Sequence, residues 1–440
     1  MKRVFRGLSS SQIILLSFAA LILIGTLLLS LPFSTRSGKS VGGFDALFTA
    51  TSSACVTGLV VRDTAQTWSV FGQVVILLLI QFGGLGLITA AFAVALMTGK
   101  KIGLRQRSTM QEVFSAPNVG GIVRLTSYIL KMTLFFELFG ALALTPVFIP
   151  RFGVWKGIWF SLFHAVSAFC NAGFDLMGAG SAFSSLTAYA DSVLVNCVMP
   201  VLIIVGGIGF LIWDDVRRHK LHMSKYCMQT KVVLLTTSLL ILIPAVYLFF
   251  AEFRSGSIGG RLMRSVFQAV TPRTAGFNTV DYSSMKEASL GLTIVLMLVG
   301  GSPGSTAGGF KTTTLATLLA LCNAVFRRRQ NVSFFGRRLT GETLRRAATL
   351  LVLYLTLFLL GGFCISLAEG LPLLDCLFET ASAVGTVGLS LGLTPQLGAF
   401  SRIILIALMF IGRIGGLTLL FSTLRPGMAF NYPQESLAVG

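Results

Sequence analysis

The chain alternates long apolar stretches with short polar ones. A helix needs about 20 apolar residues to cross the hydrocarbon core of a bilayer. Seven stretches approach that length, near residues 11–32, 70–98, 125–149, 192–213, 232–251, 347–368 and 400–424. We therefore predict a membrane-spanning helix in each of them.

An eighth apolar stretch is interrupted in its middle. The runs "LGLTIVLMLV" and "LATLLALCNAVF" flank "GGSPGSTAGGFKTTT", which covers residues 300–314. As helices the two runs rise only about 15 and 18 Å, so neither alone spans a core of roughly 30 Å. Pro303 and the glycines stop a helix. Four hydroxyl side chains can bond the backbone groups that the break frees: Ser302, Ser305, Thr306 and Thr312. We predict a helix broken in mid-membrane, with a kinked but continuous helix as the alternative.

Composition and charge placement define the class of protein. The chain is 54% hydrophobic and 12% charged, and its mean hydropathy of +0.82 lies far above that of soluble globular proteins. A formal charge of +19 would suggest nucleic acid as a partner in a soluble protein. Here the basic residues concentrate in alternate loops, at 2–6, 100–107, 217–225 and 327–346. The positive-inside rule makes these loops cytoplasmic, and with eight crossings both termini are expected in the cytoplasm.

The last basic loop has further interpretations beside orientation. Residues 327–346 hold seven arginines and a single acid, Glu342. Such a surface can dock an acidic regulator or bind anionic lipid headgroups, or it can serve orientation alone. We expect membrane lipids as partners and no nucleic acid.

Four short segments resemble one another. They read "FTATSSACVTGL", "FHAVSAFCNAGF", "FQAVTPRTAGF" and "FETASAVGTVGL", and their glycines are Gly58, Gly173, Gly276 and Gly388. A glycine pair follows each segment, in "FGGLG", "VGGIG", "VGGSPG" and "IGGLT". One such feature would indicate close helix packing, but four copies in register indicate an internal repeat.

The repeat predicts an all-α membrane protein with four M1-P-M2 units (helix, re-entrant pore helix, helix) around a single pore. The run before each glycine is too short to cross a bilayer, and non-helical backbone at that depth must line water or be buried in protein. Repeat 1 covers residues 1–99, repeat 2 covers 100–215, repeat 3 covers 216–322, and repeat 4 with a C-terminal tail covers 323–440. The third M2 helix is expected to be broken by the intramembrane loop 300–314.

The same units predict the functional site. The C-terminal ends of the pore helices would point at the axis and favour a cation, and the small residues after them can turn carbonyl oxygens toward it. The predicted filter residues are Val56, Thr57, Gly58, Asn171, Ala172, Gly173, Thr274, Ala275, Gly276, Thr386, Val387 and Gly388. The predicted gate residues are Gly300, Gly301, Ser302, Pro303, Gly304, Ser305, Thr306, Ala307, Gly308, Gly309, Phe310, Lys311 and Arg413.

These segments, together with "GGSPGSTAGGFKTTT", resemble the Trk/Ktr/HKT superfamily of potassium transporters, most closely the KtrB-type membrane subunit of bacterial Ktr systems. The resemblance implies a homodimeric subunit for K⁺ uptake in the cytoplasmic membrane of a bacterium. It also implies K⁺ at the filter carbonyls, Na⁺ as an activator, and a ring of nucleotide-binding RCK-type (KtrA-like) regulators in the cytoplasm. Glycine at all four filter positions accompanies potassium selectivity in this family. The third copy is one residue shorter between Phe267 and Gly276, so residue correspondence is less exact there.

Ionisable residues inside apolar stretches are functional candidates. Arg413 is expected to face the pore, where it would repel cations, and the matching arginine of the family lies near the gate; a snorkelling or structurally paired arginine is the alternative. Arg273 is expected to brace the filter from behind, with Glu379 as its counter-charge. Glu137 needs an interior partner that the sequence does not identify.

Two other classes of function compete with a pore. The glycine-rich stretch superficially resembles a phosphate-binding loop, but Phe310 separates Gly309 from Lys311 and the flanks are apolar, so no enzyme is expected. A secondary transporter with obligatory Na⁺ or H⁺ coupling also uses broken helices, but such proteins usually show two inverted halves and carboxylates at the site. Seven scattered cysteines indicate neither a disulfide framework nor a zinc site. No organic cofactor is expected.

Overall fold

The computed structural model describes residues 9–86, 111, 121–178 and 180–416, and most of these residues are helical. The helices fall into four consecutive groups. The first group contains α1 (Ser10–Leu29), α2 (Gly43–Ala54), α3 (Thr64–Thr67) and α4 (Val70–Leu85). The second contains α5 (Ile122–Phe152), α6 (Val154–Phe169), α7 (Val193–Ile208) and α8 (Phe210–His219). The third contains α9 (Met228–Tyr247), α10 (Ile258–Val270), α11 (Glu287–Leu298) and α12 (Thr312–Phe326).

The fourth group follows a small hairpin. Strands β1 (Ser333–Phe334) and β2 (Arg337–Arg338) pair antiparallel and connect α12 to the next helix. The group itself contains α13 (Gly341–Glu369), α14 (Leu373–Gly385) and α15 (Ala399–Ile414). The hairpin is the only sheet within the described residues.

The first helix of each group is long enough to cross a membrane. The four candidate spans in the described part of the chain are Ser11–Leu29, Ile122–Phe152, Met228–Glu252 and Gly341–Glu369. Only 28% to 39% of the most apolar window of each span is buried. Most of their apolar surface therefore faces outward, which is favourable in lipid and unfavourable in water. The chain is an integral membrane protein.

Three helices, α4, α7 and α15, end at glycines. α4 ends before Gly86 (φ 82°) and α15 before Gly415 (φ 90°), in conformations that a Cβ disfavours. α7 ends before Gly209 (φ 108°), and α8 continues at 94° to it. The continuous helix predicted over 192–213 is therefore wrong. Those predicted over 70–98 and 400–424 stop at Leu85 and Ile414, and residues 87–98 and 417–424 lie outside the described residues.

In the third group, a long non-helical stretch separates the last two helices. α11 ends at Leu298 and α12 begins at Thr312, and the backbone between them is not helical. Gly304 (φ 66°) and Gly309 (φ 65°) adopt left-handed conformations there, and Pro303 cannot donate a backbone hydrogen bond. Residues 299–311 are called the central loop below.

The centre of the molecule is built from α2, α6, α10 and α14, called the inner helices. Their last turns and the residues after them are buried without interruption over 48–59, 163–174, 267–277 and 378–387. The helix that follows each inner helix also packs on the inner helix of the next group: α4 on α6, α7 on α10, and α11 on α14. α15 packs on α2, which joins the end of the chain to its beginning. The four groups therefore close into a ring.

Candidate functional site

The four predicted filter segments, called the central segments, share one backbone shape. The residue two positions before each glycine has a left-handed φ: 57° at Val56, 58° at Asn171, 65° at Thr274 and 52° at Thr386. This conformation is uncommon for residues with a Cβ and costs on the order of 1–3 kcal/mol, so the surroundings must fix it. Four copies of one strained turn indicate a shape that the fold maintains.

The structure brings the four repeat glycines together in a ring. A Cβ placed on any of them would lie within 3.0 Å of a carbonyl oxygen in the neighbouring segment. For Gly58, Gly173, Gly276 and Gly388 these oxygens belong, in that order, to Ala172, Ala275, Val387 and Thr57. The contacts run from the first segment through the second, third and fourth, and back to the first. Carbonyl oxygens therefore crowd between adjacent segments, and no side chain fits at the glycines.

A Ser or Thr residue at the C-terminal end of each inner helix bonds the central segment that follows. Its carbonyl accepts from the residue before the glycine, at 2.8 Å for Ser52, Ser167 and Ser382 and at 3.0 Å for Thr271. Its hydroxyl makes a second bond: Ser52 and Ser382 accept from the glycine N–H at 3.1 and 3.0 Å, whereas Ser167 and Thr271 donate to the carbonyls of Phe174 and Phe277. The sequence prediction missed these residues, although Ser or Thr occupies the fifth position of every copy.

The shorter third segment reaches the same shape by a different path. Val56 lies four positions after Ser52, whereas Thr274 lies only three positions after Thr271. The N–H groups of Ala275 and Gly276 both approach the carbonyl of Thr271, at 3.0 and 3.4 Å. The missing residue therefore falls before the left-handed turn, and Thr274 to Gly276 correspond to the other copies.

Three hydroxyls at the ring are buried and have no hydrogen-bond partner among the described residues. They are those of Thr57, Thr274 and Thr386, each of which is fully buried. A buried polar group without a partner costs about 1–3 kcal/mol, so such groups call for an explanation. Oxygen atoms are the ligands that hard cations take, and an ion or water at the ring would satisfy these three.

The central loop packs directly against the central segments. A Cβ on Gly308 would strike the side chain of Thr386, and one on Gly300 would lie 3.2 Å from Cγ2 of Thr274. Within the loop, Gly300 N–H donates to the carbonyl of Phe310 at 2.8 Å. Every predicted gate residue from Gly300 to Lys311 lies in this one structure.

Hydrogen bonds attach the central loop to the broken ends of other helices. Ser302 and Thr306 N–H groups donate to the carbonyls of Gly207 and Gly206, at 2.9 and 3.2 Å. Gly309 N–H donates to the carbonyl of Gly412 at 3.1 Å. The loop thus satisfies carbonyls at the ends of α7 and α15, which a helix ending inside a protein leaves free.

The hydroxyls of the loop meet backbone groups or one another. Ser305 Oγ donates to the carbonyl of Ser302 at 2.6 Å, and Thr306 Oγ1 donates to that of Phe169 at 3.1 Å. The hydroxyls of Ser302 and Thr312 lie 3.0 Å apart. Lys311 Nζ donates to the carbonyls of Ala307 and Gly308, at 2.8 and 3.0 Å, within the loop itself.

Arg413 connects the central loop to the first group. Its Nη1 donates to the carbonyl of Thr306, and its Nη2 donates to those of Gly83 and Gly84 at 2.5 and 2.8 Å. One planar guanidinium thus joins elements from the first, third and fourth groups. Its position beside the loop places a positive charge next to the ring.

Glu137 has two partners that the sequence did not reveal. Its carboxylate, on α5, accepts from Gln81 Nε2 at 3.2 Å, and Cys170 Sγ lies 3.9 Å from its other oxygen. Cys170 immediately precedes Asn171, and a Cβ on Gly84 would lie 2.9 Å from Cys170 Sγ. This cluster therefore adjoins the second central segment and Gly84, the residue whose carbonyl accepts from Arg413.

The predicted pairing of Arg273 with Glu379 is wrong. Arg273 Nη2 donates to Thr237 Oγ1 at 3.3 Å. Glu379 instead accepts from Ser390 Oγ at 2.6 Å, from Leu391 N–H at 3.0 Å and from Thr394 Oγ1. The reason is its position, one residue after Phe378, from which the side chain reaches the loop after the glycine.

In two other copies, the residue at the position of Glu379 also forms hydrogen bonds to the loop after the glycine. His164 Nε2 accepts from Leu176 N–H at 3.3 Å, and Gln268 bonds Thr279 and Tyr282. In these three copies, the residue after the first Phe therefore holds the loop that follows the glycine by hydrogen bonds. Sequence comparison of the copies obscures this role, because His, Gln and Glu are chemically different.

Comparison with known proteins identifies similar chains over nearly the full length. A family model described as TrkH, cation transport protein, matches residues 5–431. The chain is 43% identical over 453 residues to the potassium/sodium uptake protein NtpJ of Enterococcus hirae, covering 100% of this chain and 99% of that protein. It is 40% identical to the Ktr system potassium uptake protein B of Bacillus subtilis, covering 98% and 96%. The crystal structure of the potassium transporter TrkH from Vibrio parahaemolyticus has the same fold, with a TM-score of 0.75 at 19% identity, covering 96% of this chain and 86% of that one.

Proposed function

Because the chain belongs to the TrkH family of cation transport proteins, we propose that it is the K⁺-translocating membrane subunit of a KtrB-like uptake system. The predicted resemblance to the Trk/Ktr superfamily is confirmed. Relatives are named as potassium uptake proteins, which supports K⁺ as the transported ion here. Those relatives are transporters, so no enzymatic reaction is proposed.

The observation that carries the proposal is the ring of central segments. Four glycines from four groups alternate with carbonyl oxygens, and three buried threonine hydroxyls lack a protein partner within the described residues. Inner helices end at this ring, and their C-terminal dipoles favour a cation. In this proposal the four groups are M1-P-M2 repeats, with the boundaries predicted from the sequence, and K⁺ passes through the ring without fixed coupling to another ion.

The gate of this pore is the central loop, in our proposal. The loop lies against Thr274 and Thr386 and is held by Arg413, so an open path requires these contacts to rearrange. A helix break filled with glycine, serine and threonine permits such movement at small steric cost. Opening is controlled from the cytoplasm by an RCK-type nucleotide-binding regulator ring, on a homodimer of this chain with both termini in the cytoplasm of a bacterium. Na⁺ acts as an activator.

Flux measurements on purified protein in liposomes test the proposal. A K⁺ gradient set against an imposed membrane potential should drive K⁺ until its equilibrium potential is reached at any Na⁺ or H⁺ gradient, and added Na⁺ should change only the rate. Strict dependence of K⁺ movement on a Na⁺ or H⁺ gradient would contradict the pore. Uptake of K⁺ by cells lacking their own transporters, with and without the regulator, tests the control by the regulator.

A coupled secondary transporter remains the second candidate, and one relative is named as a potassium/sodium uptake protein. Coupling requires a group whose charge or ligation changes, and Glu137 is a carboxylate only 3% exposed beside the second central segment. Glu137→Gln separates the candidates. A pore retains K⁺ flux in this variant, because glutamine still bonds Gln81, whereas a carrier coupled through Glu137 loses ion-driven uptake. Glu342→Gln, at an exposed carboxylate of the basic loop, is the control.

A further inference from the structure

A groove of about 590 Å³ lies on the third group, away from the ring, between α9, α11 and α12. Its size is that of a site for a small organic ligand. Apolar side chains form its walls, among them Leu235, Leu239, Ile243, Val295, Leu296, Leu315 and Leu319. Several of these are exposed, Leu319 by 60% and Ile243 by 64%. The groove is thus open toward the surroundings of a membrane protein.

One end of the groove is polar and basic. Asn323, Arg329, Asn331 and Ser333 line it there, and no acidic residue does so among the described residues. Arg327 and Arg328 adjoin this end and are exposed. On the neighbouring helix, Lys231 Nζ lies 5.9 Å from the ring centre of Phe335. The polar end therefore carries a concentrated positive charge.

The direction of α12 orients the groove. The helix runs from Thr312, at the end of the central loop, to Phe326, beside the basic end. The wall on α9, from Leu235 to Pro244, is about 13 Å long at 1.5 Å per residue. An occupant must therefore be apolar over about that length and negatively charged at the end beside Arg329.

We propose that this groove binds one anionic phospholipid, with an acyl chain along α9, α11 and α12 and the phosphate held by Arg329, Asn331 and Ser333. Charge complementarity supports this occupant, because anionic headgroups attract clustered basic residues at a membrane surface. A free anion would leave the apolar walls uncovered, and an apolar helix of another protein would leave the arginine without a counter-charge.

The lipid also stabilises the central loop, a consequence that rests on the proposed gate. Leu296 lies three residues before Val299, and Leu315 lies three residues after Thr312, so the groove touches helices on both sides of the loop. Thr312 N–H donates to the carbonyl of Gly301 at 3.1 Å. A chain packed between α11 and α12 restricts their relative movement, and with it the loop between them.

Lipid retention tests the binding site. Purified protein stripped of lipid is titrated with phosphatidylglycerol or phosphatidylcholine, and bound lipid is measured by native mass spectrometry. We expect Arg329→Gln to reduce the preference for phosphatidylglycerol about fivefold, the contribution of one basic residue near a charged surface. Arg328→Gln removes the same charge from a residue that adjoins the groove without lining it, so it should reduce the preference less than Arg329→Gln does. Equal retention by both variants would overturn the site.

A second variant tests the apolar part. Ala320→Trp fills the groove without changing charge, and we expect it to reduce retention of both lipids, with monodispersity on gel filtration as the check on folding. Unreduced retention would contradict the acyl-chain assignment.

Flux separates the lipid proposal from the proposed function. In phosphatidylglycerol liposomes, Arg329→Gln should change K⁺ flux severalfold relative to Arg328→Gln, and in phosphatidylcholine the two should agree. If Arg329→Gln loses the lipid preference but shows no flux difference, the effect on the central loop is refuted and the lipid site itself is not. Absence of K⁺ flux from every preparation, with normal lipid retention, would instead refute the proposed function.

Discussion

The central segments and the central loop lie in contact, yet they are built by opposite means. The central segments occur four times, and their backbone turns agree within a narrow range of φ, from 52° to 65°. The central loop occurs in the third group only, and its hydrogen bonds outside that group join it to the second and fourth groups. One region is fixed by repetition and the other by contacts with unlike neighbours.

Because of this difference, the central segments and the central loop should respond differently to substitutions. In the ring, each glycine is limited by a carbonyl of the adjacent segment, so a change in one copy disturbs the next. In the loop, three bonds join single N–H groups to the ends of α7 and α15, and such bonds can exchange one at a time. We expect ring variants to alter which ion passes and loop variants to alter how often it passes.

The largest effect is expected from Gly388→Ser. Gly388 has φ 95°, and a Cβ there would strike the carbonyl of Thr57. The displaced carbonyl should lower the preference for K⁺ over Na⁺ by at least about tenfold, which corresponds to about 1.4 kcal/mol. Bi-ionic reversal potentials of the purified protein in bilayers measure this preference.

Gly291→Ser is the matched control for that variant, because nothing lies within 4 Å of a Cβ at this glycine of α11. It should retain the preference of the unmodified protein. An unchanged preference in Gly388→Ser would remove the ring from the proposed selectivity mechanism.

Deletion of Gly304 to Gly309 should have the next largest effect. It removes the carbonyl that binds Arg413 Nη1 and the N–H bonded to Gly412, and it shortens the segment beneath Thr386. We expect a severalfold increase in K⁺ flux, reduced dependence on the regulator, and an unchanged K⁺ preference. ⁸⁶Rb⁺ uptake into liposomes with and without the regulator gives the comparison. If flux and regulation both stay as before, the loop is no gate.

Arg413→Gln should give a smaller increase in flux than the deletion. The change removes the charge and the donors to Thr306, Gly83 and Gly84 but leaves the loop intact. Arg413→Lys keeps the charge, but a compact ammonium cannot reproduce the fork that reaches two elements. We expect it to fall between Gln and the unmodified protein in the same uptake assay. Equal flux in all three proteins would show that Arg413 does not hold the loop.

The smallest effect is expected from Ser382→Ala. The substitution removes the hydroxyl that accepts from Gly388 N–H at 3.0 Å, and a hydrogen bond of this kind contributes about 1 kcal/mol. K⁺ preference should fall by less than in Gly388→Ser, and thermal stability should fall slightly. Ser390→Ala, which removes a hydroxyl bonded to Glu379 in the outer loop, should lower stability without changing K⁺ preference. A K⁺ preference lowered more by Ser390→Ala than by Ser382→Ala would contradict the proposed role of Ser382 in holding the fourth central segment.

Much of this arrangement could be predicted from the repeats, and some could not. The four repeated glycines and the non-helical stretch between α11 and α12 could be predicted, because glycine and proline have strong and local backbone effects. The partners of Glu137 were not readable, since Gln81 and Cys170 lie 56 and 33 residues away. The Arg273 and Glu379 pairing failed because closeness to the ring does not determine the direction of a side chain.

By itself the sequence determined an integral membrane protein with four related units and a glycine at the same place in each. The length of an apolar run, the placement of charges and a repeated glycine are local features, so the sequence alone shows them. Only the tertiary structure decided that α15 meets α2 and closes the ring, and that Arg413 joins Thr306 to Gly83. Contacts between residues more than a hundred positions apart depend on how whole helices pack, and no local pattern encodes that.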